Sequence, residues 1–169
     1  MAYKDIKNIE IEGAKITFRN FAGEPTDVNP AGGDRDFAVI ISDEAFAQEL
    51  INEGWNVKAF KNPNANGEQE YYLKVKVSYK YANRAPKIWL CSDYSDDILL
   101  SEETVKDLDA IDIRDVDITI SPYNYTVRGE SGISAYVKSM YVNVVEDAFA
   151  AKHRKRKLQR ESMDEMPWT

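Results

Sequence analysis

Apolar and polar positions along this chain alternate mostly with the period of two that marks a half-buried strand. The clearest run is Tyr71 to Tyr81. Tyr71, Leu73, Val75, Val77, Tyr79 and Tyr81 share one face, and Tyr72, Lys74, Lys76, Ser78 and Lys80 share the other. Lys15 to Phe21 alternates too, with Ile16, Phe18 and Asn20 on one side and Lys15, Thr17, Arg19 and Phe21 on the other. Phe37 to Ile41 is a short apolar run suited to a buried strand. Trp55 to Lys61 reads as extended, with Trp55, Val57 and Ala59 facing away from Asn56, Lys58 and Phe60, which makes Trp55 a core residue. Lys87 to Cys91 is a further short strand. Val116 to Val127 and Ile133 to Val145 are two long ones, joined through the glycine-containing loop Arg128-Gly129-Glu130-Ser131-Gly132.

Helical signals are few. Ser42, with Asp43 and Glu44 behind it, opens a helix whose free N–H groups the Ser42 hydroxyl caps; Phe46, Ala47, Leu50 and Ile51 form its apolar face and Gly54 ends it. Ser101 caps a second short helix with Val105, Leu108 and Ile111 spaced by three. Glu146 to Arg160 has helical composition but little apolar face, which predicts a frayed helix or disorder. Six or seven strands with one helix ahead of a final long hairpin predict a mainly β fold. The expected form is an OB-fold-like five-stranded barrel with extra strands, two short helices and a flexible C-terminal tail, although other small β-barrels share the pattern. The barrel domain is assigned to residues 1–148 and the tail to 149–169.

Charge refines this picture. The 169 residues carry a net −7, yet residues 151–169 hold six Lys/Arg against three Asp/Glu, so the tail is +3 and the body −10. An acidic body argues against a general polyanion binder, and a nucleic-acid site would have to be a local basic stripe. The lone Cys91 excludes an intramolecular disulfide, no Cys/His cluster suggests zinc, no apolar run approaches a membrane span, and the first residues lack the apolar region of a signal peptide. A reducing, cytoplasmic setting and no cofactor are expected.

The lysine face of the Tyr71–Tyr81 run is the first candidate surface. Lys74, Lys76 and Lys80 repeat about every 7 Å, two strand rises apart, near the phosphate spacing of an extended single strand, and Tyr72 offers a stacking platform beside them. A solvated strand face gives the same alternation. Arg19 with Phe21, and Lys58 with Phe60 and Lys61, repeat the pairing of cation and ring, unless a kink turns Phe21 into the core. Arg128 on the hairpin loop and Lys138 on the returning strand flank the groove of such a barrel. Trp89 suits either packing or stacking.

Enzyme signatures are thin. His153, the only histidine, sits within a basic run, and no phosphate-cradling glycine loop is present. Asp107, Asp109, Asp112, Asp115 and Asp117 invite a metal-dependent nuclease reading, but they span a helix end and a strand start and need not converge. An acidic protein-binding module, such as a nucleic-acid mimic acting on a host factor, is the other alternative to a binder of nucleic acid.

The end of the chain joins a basic arm, Lys152-His153-Arg154-Lys155-Arg156-Lys157, to an acidic and aromatic hook, Asp164-Glu165-Met166-Pro167-Trp168, closed by Thr169. The hook resembles the tips with which single-stranded DNA-binding proteins recruit partners. The body is similar to phage-encoded single-stranded DNA-binding proteins of OB fold. The likeness rests on Arg35 to Ile41 feeding a short helix, on Gly54-Trp55-Asn56-Val57-Lys58, and on Tyr72-Leu73-Lys74-Val75-Lys76-Val77. It ends with Gly132-Ile133-Ser134-Ala135-Tyr136-Val137-Lys138 leading to Val145-Glu146-Asp147. The resemblance spans roughly residues 10–150 and is diffuse. It implies non-sequence-specific, non-catalytic binding of single-stranded DNA during phage replication or recombination, inside an infected bacterial cell. Replication or recombination proteins would be held at Asp164, Glu165, Met166, Pro167 and Trp168. DNA would be held by Arg19, Phe21, Lys58, Phe60, Lys61, Tyr72, Lys74, Lys76, Lys80, Trp89, Arg128 and Lys138. A homo-oligomer is compatible with this reading.

Overall fold

A computed structural model describes residues 6–93, 95–145 and 160. Of the Glu146 to Arg160 stretch only Arg160 is described, helical and exposed; the rest of that expectation and the Asp164–Trp168 hook lie outside the described residues.

Among the described residues nine strands form one sheet: β1 (Ile9–Ala14), β2 (Ile16–Asn20), β3 (Arg35–Ile41), β4 (Val57–Ala59), β5 (Tyr71–Val77), β6 (Lys87–Ser92), β7 (Ser95–Leu100), β8 (Ile113–Val127) and β9 (Glu130–Val144). The main path runs β1-β8-β9-β5-β3-β2. The ladder is not closed, but its two ends, β1 and β2, are halves of one bent strand that meet at Lys15. The Lys15 carbonyl accepts from Ile40 N on β3 (2.9 Å), and the Lys15 amine donates to the Arg114 carbonyl on β8. Five chain segments therefore wrap one core, as an OB-like fold requires. The core is built by alternation on each strand: Phe37 and Val39, Leu73 and Val75, Val116 and Ile118, Met140 and Val142 are all buried. The remaining strands are additions. β4 pairs the first half of β5, and the hairpin of β6 and β7 attaches to the second half of β9. Among the described residues no helix is long and apolar enough to cross a membrane.

The α-helix α1 (Glu44–Glu53) buries Ala47 and Leu50 and ends at Gly54, whose φ of 106° suits a residue without Cβ. Its cap differs from expectation. The Asp43 carboxylate accepts from Ala45 N and Phe46 N, while the Ser42 hydroxyl donates to Glu70 instead (2.6 Å). A carboxylate at this position adds charge stabilisation at the positive end of the helix. The second expected helix is a short 3-10 turn, Val105–Asp109, with no side-chain cap; Ser101 contributes its carbonyl to the turn rather than a capping hydroxyl. Val105 and Leu108 are nevertheless buried as their spacing implied. The hairpin between β8 and β9 is tighter than the glycines suggested. Val127 pairs Glu130, leaving a two-residue turn of Arg128 and Gly129 with φ of 52° and 81°.

The decisive departure is in β2. Thr17 pairs Ala38 and Asn20 pairs Asp36, so Phe18 and Arg19 together oppose Phe37 alone. This is a β-bulge, and Phe18 takes a left-handed φ of 51° to make it. The bulge reverses the expected alternation. Phe18 turns outward and is 62% exposed, whereas Phe21 is fully buried and stacked on Phe37 with ring centroids 5.0 Å apart. The bulge is tied to the 3-10 turn from both directions. The Arg19 guanidinium donates to the carbonyls of Leu108 (2.8 Å) and Ile111 (2.7 Å), and the Asp109 carboxylate accepts from Phe21 N (2.8 Å) and Ala22 N (2.9 Å).

Three stability outcomes follow. Phe21→Ala removes a fully buried ring and should cost about 3–5 kcal/mol, read as a lowered urea midpoint. Asp109→Ala strands two backbone N–H groups and should cost about 1–3 kcal/mol in the same measurement. Phe18→Gly relaxes the left-handed backbone while losing surface ring contacts, and should stay within about 1 kcal/mol of wild type.

Candidate nucleic-acid interface

The outward residues of β5 are the ones the alternation picked out. Tyr72 is half-buried and Lys74 and Lys76 are exposed, while Tyr71, Leu73, Val75 and Val77 point into the core. The bulge in β2 brings Phe18 to the Tyr72 end of this face. Phe18, Phe60 and Tyr72 form a three-ring cluster, with centroids 4.8 Å apart for Phe60–Tyr72, 5.6 Å for Phe18–Tyr72 and 6.0 Å for Phe18–Phe60. Lys58 sits in register opposite Tyr72, and exposed Lys61 follows Phe60 in the chain.

At the other end of β5 the register joins a second strand. Lys76 lies beside Tyr136 of β9, with its ammonium 5.8 Å from the ring centroid, close enough for cation–π attraction. Tyr136 meets Tyr123 of β8 edge to face at 6.1 Å, and Tyr123 is 57% exposed. The face thus reads as three rings, then Lys74, then Lys76 with two tyrosines. Its ends lie four residues apart on β5, about 13–14 Å. Lys74 pairs with Asp36 at 3.3 Å but keeps most of its side chain in solvent, so its charge remains available to an anion.

The other expected residues divide. Lys138 is exposed two residues beyond Tyr136, at a bulge where β9 carries an extra residue opposite Thr119 and Ile120. Arg128 is at the hairpin tip, next to Glu130, which is six residues and roughly 20 Å along β9 from Tyr136. Three expectations are corrected. Phe21 is in the core and has no face to offer a base. Arg19 is an exposed residue whose guanidinium is committed to two carbonyls. Lys80 lies past the end of β5, at Val77, with its ammonium 5.6 Å from the Tyr81 ring, so the strand alternation no longer aligns it with Lys74 and Lys76. Trp89 lies apart from this face: β6 pairs it with Tyr141 and Leu99, five residues along β9 from Tyr136.

Phe18, Tyr123 and Tyr136 were missed. Tyr136 was legible from alternation, because Ile133, Ala135 and Val137 point inward around it. Phe18 was not, because nothing in a run of non-glycine residues announces a positive φ. The aspartates are tied into the fold: Asp109 holds the β2 bulge, Asp117 accepts from Gly13 N (2.9 Å), and Asp115 and Asp117 both accept from the Asn143 amide (2.8 and 3.4 Å). Among the described residues no group of three or more His, Cys, Asp or Glu could hold a metal ion. Two of the described groups are pushed up from their ordinary range. Burial pushes the Cys91 thiol up to about 12, helped by Asp97, which makes it a poor nucleophile. Burial also raises the Tyr79 phenol against the opposing pull of Arg35.

Comparison with curated proteins finds no match. Among solved structures, the fold is similar to the single-stranded DNA-binding protein of bacteriophage Enc34 in a C-terminal truncation. The two are 11% identical with a TM-score of 0.54, covering 83% of this chain and 87% of that one. The same phage protein in complex with ssDNA is 10% identical with a TM-score of 0.52, covering 85% and 89%. At such identity the likeness establishes the fold. The sequence itself matches, over residues 1–164, the family model described as "Putative phage ssDNA-binding domain". The chain belongs to the phage ssDNA-binding domain family.

Proposed function

We propose that the protein binds single-stranded DNA without sequence preference or catalysis, on the face formed by Phe18, Phe60, Tyr72, Lys74, Lys76, Tyr136 and Tyr123. The observation that carries this reading is the pair of ring groups joined by the two lysines of β5. Flat rings accept any base, and lysines spaced two residues apart neutralise successive phosphates. Lys58, Lys61 and Lys138 extend the cationic margin. The Enc34 protein was solved with ssDNA, which supports the same ligand class for this chain. We further assign this binding to phage DNA replication or recombination, with Asp164, Glu165, Met166, Pro167 and Trp168 docking a partner protein of that machinery.

Fluorescence anisotropy with a labelled poly-dT oligonucleotide tests the face. Phe18→Gly and Tyr72→Ala should each weaken binding by about 1–3 kcal/mol, or roughly 5- to 150-fold, with Phe18→Gly doing so at unchanged stability. Lys74→Gln and Lys76→Gln should flatten the dependence of affinity on salt, while Trp89→Ala should leave affinity within about twofold, the size of a surface change that touches nothing critical. Salt-insensitive binding, or an equal loss in Trp89→Ala, would overturn the assignment of this face.

The hook is tested apart from it. Trp168→Ala should preserve oligonucleotide affinity and abolish a contact with a replication or recombination protein measured by direct titration. A loss of DNA affinity in Trp168→Ala would instead make the hook part of the DNA site.

A further inference from the structure

The β6–β7 addition carries a second outward face, separate from the lysine-aromatic one. Across β8, β9, β6 and β7 the register lines up Asp117, Tyr141, Trp89 and Leu99, and one row further on Asp115, Asn143 and Cys91. Tyr141 is 46% and Leu99 52% exposed, so this sheet face is apolar and uncovered by any described element. Beside it lies a cleft of about 330 Å³ whose lining includes Asp93, Asp97, Asp117 and Arg114. Arg114 is divided between Asp93 and Asp115, both at 3.7 Å, which leaves the three lining carboxylates in excess over the one lining cation.

The chain passes out of the described barrel at this place. Asn143 lines the cleft, and Val145, two residues on, is held by a bond from its N–H to the Asp112 carbonyl (3.0 Å). What comes next has complementary chemistry. Phe149 lies four residues beyond Val145, just as Tyr141 lies four residues before it, so about 13–14 Å of chain spans either distance. Five Lys/Arg follow between Lys152 and Lys157, the first of them within about 25 Å of Val145 at full extension. The segment therefore offers one aromatic anchor and then a dense positive run, to a face that offers an apolar patch and then a carboxylate rim.

We propose that this face docks the chain's own segment 146–157, with Phe149 against Trp89, Leu99 and Tyr141 and the basic run over Asp93, Asp97 and Asp117. The arm is thereby kept at the far end of β9 from Tyr136, away from the lysine-aromatic face. The inference does not depend on what that face binds.

Zero-length carbodiimide crosslinking of the full-length protein at low salt, without DNA, tests it by peptide mass spectrometry. Links from Lys152, Lys155 or Lys157 to Asp93 or Asp97 should dominate in the monomer. They should fall at least severalfold in Leu99→Ser, in Phe149→Ser and in 0.5 M salt. Leu99 is exposed and Phe149 follows the last described strand in sequence, so each variant checks the other. Links found only in a crosslinked dimer would assign the arm to a second copy. Links scattered over the body's carboxylates, or unchanged in both variants, would remove the dock altogether.

Discussion

Strand β9 has two edges to give, and three strands use them. β8 takes one edge along nearly the whole of its length, and the other is shared in sequence by β5, at Ala135 and Tyr136, and by β6, from Ser139 to Asn143. Both of the latter run parallel to it, which a tight hairpin cannot supply; each needs a crossover through intervening chain. The bulge around Lys138 falls between the two parallel neighbours, where one pairing ends and the other begins. This division of an edge positions everything else. It sets Lys76 beside Tyr136 and so completes the lysine-aromatic face. It also sets Trp89 beside Tyr141 and so builds a different one, about 16 Å further along the same strand.

Much of this was legible wherever period-two alternation runs uninterrupted. β5 is the best case, since its in-and-out pattern fixes which side chains enter the core and which face water. The hidden parts share a physical cause: local geometry that the side-chain pattern does not encode. In β2 a bulge with a left-handed phenylalanine swaps the roles of Phe18 and Phe21. The compensation lies far off in sequence, in the Asp109 carboxylate and the carbonyls that hold Arg19. β7 begins Ser95-Asp96-Asp97 and forms an edge, so it lacks the apolar signal of a strand packed on both sides. Trp89 could be read either way until pairing located it, because an aromatic on a short strand carries no information about which neighbour it will meet.

The Phe18 conformation is informative in its own right. A bulky residue at positive φ is held against a cost of order 1–3 kcal/mol, and the reward within the fold is small, since the ring it places is mostly in solvent. The clamp on Arg19, Phe21 and Ala22 shows that the bulge is over-determined rather than tolerated. A surface ring maintained at such cost, beside Phe60 and Tyr72, is more simply explained by a ligand with flat faces than by packing.

Charge imposes the remaining constraint. A body of net −10 repels a polyanion at long range, but the screening length at physiological salt is about 8 Å, comparable to the reach of one lysine. Inside that distance the local order of Lys58, Lys74, Lys76 and Lys138 outweighs the global sum. Four phosphates neutralised on the proposed face would give a slope of only roughly −3 in log K against log salt. Electrostatics on so acidic a chain therefore cannot carry the affinity by itself. On the proposed face the salt-independent share would come from stacking, on the rings that the fold sets at both ends of the lysine pair.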